Sequence, residues 1–189
     1  PFIGIGIEKA IVFGTYNLLE ASKSLLNKYS DKIKKFRFIH ISTDEVYGSL
    51  SYSQSSCNEK AQYKPNSPYS ASKASSDHLV RAWNITFGVP VITTHCCNNY
   101  GPYQYPEKLI PVIISKALKN ENIPIYGNGK NIREWIYAED HCEGLLKILK
   151  SGKVGNSYNI GTGNVIKNRD LVKKIIKIYS KYFSKNRHI

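Results

Sequence analysis

The sequence predicts an α/β fold, a parallel sheet of short strands alternating with helices. Three observations carry that expectation. Residues 36–42 form a short apolar run rich in β-formers, as a buried strand requires. Ser67-Pro68 opens a stretch without Gly or Pro that lasts to Phe87, a helix start followed by an uninterrupted helix. Runs of these two kinds alternate along the chain, which is the pattern of strands joined by crossover helices. In order, residues 8–29 read as a helix, 36–42 as a strand and 43–66 as a loop. Within that loop, 49–66 is rich in Ser, Asn, Gln and Lys and reads as a mobile flap. A helix over 69–87, a strand over 89–95, a loop over 96–106 and a helix over 107–120 follow. A short strand at 123–126, a loop holding Arg133, a helix at 139–150 and a strand at 157–160 come next. Leu171, Val172, Ile175 and Ile176 alternate with lysines as an amphipathic helix over 168–182.

Composition narrows the class. A chain of 189 residues is long enough to bury a real core. No apolar run approaches the ~20 residues of a membrane helix, and no leader pattern opens the chain. Cys57, Cys96, Cys97 and Cys142 have neither metal-ligand nor disulfide spacing, so they read as reduced thiols of a cytosolic protein, with no metal site. Cys96-Cys97 reads as buried packing. The 27 basic residues exceed the 14 acidic ones, a net charge of +13, yet the lysines are scattered apart from clusters at 32–35 and 173–177. Nucleic-acid binding asks for basic residues gathered on one face with aromatics among them, so the charge does not indicate it.

The chemistry concentrates in two motifs. Ser42-Thr43-Asp44-Glu45 begins where the first strand stops, and in open α/β sheets ligands bind beyond the carboxyl ends of strands. Tyr69 and Lys73 lie four residues apart at the start of the next helix and share a face. A nearby ammonium stabilises a phenolate, so Lys73 is expected to draw the Tyr69 pKa down from ~10. Either motif alone is common on solvated surfaces. Both together, in this order and each beside its element, point to catalysis.

These residues resemble the extended short-chain dehydrogenase/reductase family, and Thr43-Asp44-Glu45-Val46-Tyr47-Gly48 resembles its nucleotide-sugar 4,6-dehydratases. Epimerases and decarboxylases of the same superfamily usually lack the consecutive acid pair. The likeness continues through residues 67–81, 98–102, 106–111, 124–127, 133–141 and 158–161, covering most of 12–165. It implies a partial Rossmann-like parallel sheet with helices on both faces, plus part of a smaller C-terminal substrate-binding domain. Residues 1–102 would be the C-terminal half of the NAD-binding domain. Residues 103–189 would be a partial nucleotide-sugar-binding region, with 103–165 contributing to both.

The resemblance also assigns roles. Tyr69, supported by Lys73, would deprotonate the sugar 4-hydroxyl while NAD takes the hydride, and Thr43 would hydrogen-bond that oxygen. Glu45 would remove the C5 proton and Asp44 would protonate the departing 6-hydroxyl, two adjacent carboxyls in opposite protonation states. Ser42, Tyr69, Lys73, Cys96 and Asn98 would lie against NAD. Asn99, Glu107, Lys108, Leu109, Pro124, Tyr126 and Arg133 would hold the substrate, dTDP-glucose, with Arg133 on the diphosphate. The helices at 8–29 and 69–87 would pair two subunits.

One part of the pattern is missing. A dinucleotide fold opens with strand, Gly-rich turn and helix. Gly4 and Gly6 do not have that spacing, and Gly161 and Gly163 follow the wrong elements. The sequence therefore reads as a fragment of a longer enzyme. Three functions stay open: a nucleotide-sugar 4,6-dehydratase, another epimerase or decarboxylase of the superfamily, and a remnant that keeps a half-site without activity.

Overall fold

The computed structural model describes residues 3–29, 33–49, 57–125 and 127–183. Its helices are α1 (Ile3–Tyr29), α2 (Pro68–Phe87), α3 (Leu109–Leu118), α4 (Ala138–Ser151) and α5 (Asn168–Phe183). Its strands are β1 (Phe38–Thr43), β2 (Val91–Cys96), β3 (Asn98–Tyr100), β4 (Ile132–Tyr137), β5 (Ser157–Ile160) and β6 (Val165–Lys167), and one 3₁₀ turn spans Asp44–Tyr47. The α/β class expected from the sequence is the class observed. The chain divides into two compact units, residues 1–97 with 141–160 and residues 98–140 with 161–189.

The first unit holds a parallel sheet in the order β1-β2-β5, with Ser42 opposite His95 and Thr43 opposite Cys96. Every residue of β2 is buried, as expected of a central parallel strand. α2 starts cleanly because Ser67 and Ser70 form a reciprocal capping box and Pro68 occupies the first turn. It stops at Gly88, whose φ of 69° is left-handed and closes the last turn with bonds to Asn84 and Trp83. α1 packs along α2, and Leu19, Val80, Val89 and Val91 form the core between helices and sheet. Burying each such side chain contributes about 1.5–3 kcal/mol. Trp83 stacks edge-on against Tyr16 at 5.6 Å and donates its Nε1 hydrogen to Glu20 Oε1 at 2.9 Å. Small Ser76 sits at the helix contact and donates to the Ile11 carbonyl.

The second unit holds β3-β4-β6, with β3 parallel and β6 antiparallel to β4. α3 packs on α5, and Ile113, Leu171 and Val172 are buried. Here the sequence expectations need correction. The loop expected over 96–106 contains β3, and β6 precedes the last helix. Both are three-residue strands held by pairing with β4, a distant contact that leaves no period to read. Arg133 belongs to β4 and not to a loop. Residues 123–125 form no strand, since Pro124 cannot donate to a ladder. The helix expected over 107–120 is shorter, Leu109–Leu118. Among the described residues no helix is long and apolar enough to cross a membrane. None of the four cysteines forms a disulfide among the described residues, and Cys96 and Cys97 are buried as expected.

Candidate active site

β1 ends at Thr43, and the chain turns at once into the 3₁₀ turn that carries Asp44 and Glu45. Thr43 is extended and caps that turn, its Oγ1 accepting from the Glu45 backbone N–H at 3.3 Å and donating to Asp44 Oδ1 at 3.3 Å. Gly48 closes the turn at φ 83°, where a Cβ would overlap the Lys64 carbonyl, so only glycine fits. Val46 and Tyr47 point inward and are buried, which leaves Glu45 exposed at the carboxyl end of the strand. Part of the expected flap is anchored rather than free: Lys64 N–H donates to the Val46 carbonyl at 2.9 Å. Residues 50–56 lie outside the described residues.

Tyr69 and Lys73 lie on one face of α2 over the end of β1. Burial, then Glu45, Cys96 and Asp44, raise the Tyr69 phenol above its ordinary range, which sets the tyrosine within electrostatic reach of both carboxylates. This reverses the expected direction. Lys73 is occupied elsewhere, donating Nζ to the Ile41 carbonyl at 2.6 Å, so it does not offset the carboxylates at the phenol. Burial lowers the Lys73 pKa, with Asp77 and Cys96 pulling the other way. Cys96, opposite Thr43, directs its thiol to the Ser42 carbonyl at 3.6 Å. The first unit thus contains Ser42, Thr43, Asp44, Glu45, Tyr69, Lys73 and Cys96 at the carboxyl ends of β1 and β2 and the start of α2.

The other singled-out residues belong to the second unit. Asn98 and Asn99 lie in β3, opposite Trp135 and Ile136. Glu107 and Lys108 are exposed just before α3, and Leu109 is its first residue. Pro124 is exposed. Arg133 is exposed on β4 and donates Nη1 to the Ile132 carbonyl at 3.0 Å. Tyr126 lies outside the described residues. Neighbouring Glu134 folds back to accept from the backbone N–H of Thr162 and from that of Gly163 at 2.6 Å, which ties the 161–163 turn to β4.

Sequence reasoning missed a buried polar network in the first unit. Asp77 Oδ1 meets His40 Nε2 at 2.9 Å, and its Oδ2 accepts from Ser42 Oγ at 2.9 Å and meets His95 Nε2 at 3.1 Å. The Tyr63 hydroxyl lies 2.8 Å from His95 Nε2, and the Tyr47 hydroxyl 3.1 Å from His95 Nδ1. Tyr47 also donates to Asn159 Oδ1 at 2.9 Å. Burial alone would push the Asp77 carboxyl up, but bonds from His40, His95 and Ser42, with the charge of His40, hold it well below the usual carboxylate range. The signal was periodicity: Asp77 is one helical turn past Lys73, and His40 and Ser42 share one face of β1.

Comparison with known proteins places this geometry. A family model described as GDP-mannose 4,6 dehydratase matches residues 7–188. The chain is 50% identical over 190 aligned residues to a dTDP-glucose 4,6-dehydratase of Shigella flexneri, covering 96% of this chain and 52% of that protein. The fold superposes with a TM-score of 0.85 on the Bacillus anthracis dTDP-glucose 4,6-dehydratase in complex with NAD, at 43% identity, over 95% of this chain and 55% of that one. A UDP-glucuronic acid 4-epimerase of Bacillus cereus, in complex with UDP-glucuronic acid and NAD, superposes at 0.80 with 30% identity, over 91% of this chain and 52% of that one. The chain therefore spans about half the length of the relatives it matches. With its family match running nearly end to end and its strand-end acids beside a Tyr-Lys helix, the chain belongs to the GDP-mannose 4,6 dehydratase family.

Proposed function

We propose that this chain carries the catalytic residues of an NAD-dependent 4,6-dehydratase acting on dTDP-glucose. The observation that supports it most is geometric: Asp44 and Glu45 follow directly on the end of β1, and Lys73 of the Tyr69 helix reaches the Ile41 carbonyl of the same strand. The residues fit NAD. Burial, then Glu45, Cys96 and Asp44, raise the phenol and Lys73 is drawn to a backbone carbonyl, so the site is short of positive charge, which an oxidised nicotinamide carries. Ser42, Tyr69, Lys73, Cys96 and Asn98 would hold it. When bound, NAD accepts a hydride from sugar C4 and later returns one to C6.

The chain's own residues do the proton work. Tyr69 takes the proton of the 4-hydroxyl, and Lys73 supports the phenolate once its Nζ turns from the Ile41 carbonyl. Thr43, whose hydroxyl hydrogen makes a long 3.3 Å bond to Asp44, redirects that hydrogen to the same sugar oxygen. The 4-ketone acidifies C5, Glu45 removes that proton, and Asp44 protonates the 6-hydroxyl so that it leaves as water. Reprotonation of C5 completes a 4-keto-6-deoxy sugar. Asn99, Glu107, Lys108, Leu109, Pro124, Tyr126 and Arg133 are the proposed substrate ligands, supported by family membership. Residues 1–102 are proposed as part of the NAD-binding domain and 103–189 as part of the sugar-nucleotide region, with 103–165 serving both.

A homodimer is proposed through α1 and α2, which expose Ile7, Phe13, Leu18, Ile85 and Phe87. The four cysteine thiols suit a cytoplasmic setting. A second reading, a sugar-nucleotide 4-epimerase, draws on the likeness to the Bacillus cereus enzyme. The product separates the two, because an epimerase keeps the 6-hydroxyl. The test is incubation of the chain with NAD and dTDP-glucose, with the product identified by mass and NMR. A 4-keto-6-deoxy sugar supports the dehydratase, and a 6-hydroxylated epimer overturns it. Glu45→Gln should slow elimination by about 10²–10⁴-fold while C4 oxidation persists. Unchanged turnover would remove Glu45 as the C5 base.

A further inference from the structure

The network around Asp77 touches every element that carries a proposed catalytic group, yet none of its members is needed to contact substrate. α2 carries Tyr69 and Lys73, and Asp77 follows at the same helical spacing, so its carboxylate faces the sheet from the same side. Its two oxygens reach His40 and Ser42 of β1 and His95 of β2. Ser42 immediately precedes Thr43. His95 continues the chain of bonds to Tyr47, the last residue of the turn that holds Asp44 and Glu45. One carboxylate, directly and through His95, therefore links α2, β1, β2 and the 3₁₀ turn.

We propose that Asp77 is a positioning residue that sets the redox pair, Tyr69 and Lys73, in register with the elimination pair, Asp44 and Glu45, by gripping β1 and β2 through His40, Ser42 and His95. The role rests on the dehydratase reading above. A reaction that oxidises C4 and eliminates across C5 and C6 needs both pairs fixed on one sugar at once. A displacement of about 1 Å between them can cost on the order of 10²-fold in rate. Burial makes the arrangement all-or-none. Asp77, Ser42 and His95 are each at most 5% exposed, so a lost partner cannot be replaced by solvent without opening the structure. An ionised carboxylate only accepts, so both histidines present Nε2–H to it. Tyr47 and Tyr63, raised first by burial, stay protonated, and Tyr47 gives its one hydrogen to Asn159 Oδ1.

The tautomers give a readout independent of turnover. In the 189-residue chain, nitrogen NMR of the imidazoles should find hydrogen on Nε2 of both His40 and His95, slow to exchange with water. An unprotonated Nε2 on either ring overturns the network whether or not the chain is active. For catalysis, His40→Gln keeps a donor near the Nε2 position and should hold kcat within about 3-fold. His40→Ala and Asp77→Asn should lower kcat by about 10–100-fold with KM within about 3-fold. Equal loss in His40→Gln and His40→Ala, or wild-type kcat in a folded Asp77→Asn, overturns the positioning role. If Asp77→Asn does not fold, the His40 pair decides. If the wild-type chain shows no dehydratase product, the proposed function fails and the imidazole result alone judges the network.

Discussion

The two units hold the residues singled out by the sequence in opposite ways. In the first unit, Ser42, Thr43 and Lys73 already have hydrogen-bond partners within the protein, and a buried network of Asp77, His40 and His95 lies behind them. In the second, Glu107, Lys108, Pro124 and Arg133 are exposed, and Arg133 donates to a backbone carbonyl beside it. Groups proposed to flank the proton transfers are held before substrate arrives, which would remove reorganisation from the proposed reaction. Groups proposed to grip a diphosphate stay solvated and lose side-chain entropy only on binding. In the proposed enzyme, catalysis would depend on folding energy and recognition largely would not.

Asp77→Ala is the harshest test of that difference. It strands two histidines and a serine in the interior and should destabilise the fold by about 3–5 kcal/mol in chemical denaturation. A loss under about 1 kcal/mol would mean the first unit is no more dependent on its polar network than the second is on its exposed ligands.

Acid should reach the same group. The folded Asp77 pKa lies well below its unfolded value of ~3.9, so its contribution is fully present above that value. It is lost as pH falls through ~4 toward the folded pKa. Denaturation midpoints followed from pH 6 to about pH 2 should fall less steeply in Asp77→Asn than in the wild type. Parallel curves would mean that other carboxylates set the acid limit.

Ser67→Ala removes the capping box that starts α2 and should cost about 1 kcal/mol. Because Tyr69 lies in that first turn, a larger fall in kcat than in stability would place the cap in the positioning of the phenol. Arg133→Ala should change stability by less than about 0.5 kcal/mol, as exposed substitutions do. It should nonetheless raise KM for the nucleotide sugar about 10-fold or more, since a bidentate charged pair is lost. Destabilisation by Arg133→Ala comparable to that of Ser67→Ala would erase the contrast between the units.

Much of the first unit was legible because its signals are local. The apolar run of β1, the cap and Gly-free length of α2, and the four-residue spacing of Tyr69 and Lys73 all lie within one element each. The second unit was harder. β3 and β6 exist only through β4, and Arg133 was misplaced because its strand is recognised by its partners. Asp77 was passed over although it continues the Tyr69–Lys73 spacing, because an acid on a helix is ordinarily solvated. Only the approach of His40 and His95, 37 and 18 residues away along the chain, makes it the centre of a buried network.

The sequence by itself determined the family and the α/β class and pointed to Asp44, Glu45 and Tyr69 as candidate acid, base and tyrosine, because motif spacing within a strand end or a helix turn is set by local geometry. Tertiary structure decided what those groups feel. It turned Lys73 toward the Ile41 carbonyl, placed Glu45 and Asp44 where they raise the Tyr69 phenol, and buried Asp77 among its donors. A side chain's charge state depends on burial and on neighbours brought from distant segments, and neither quantity is written in the spacing of its own motif.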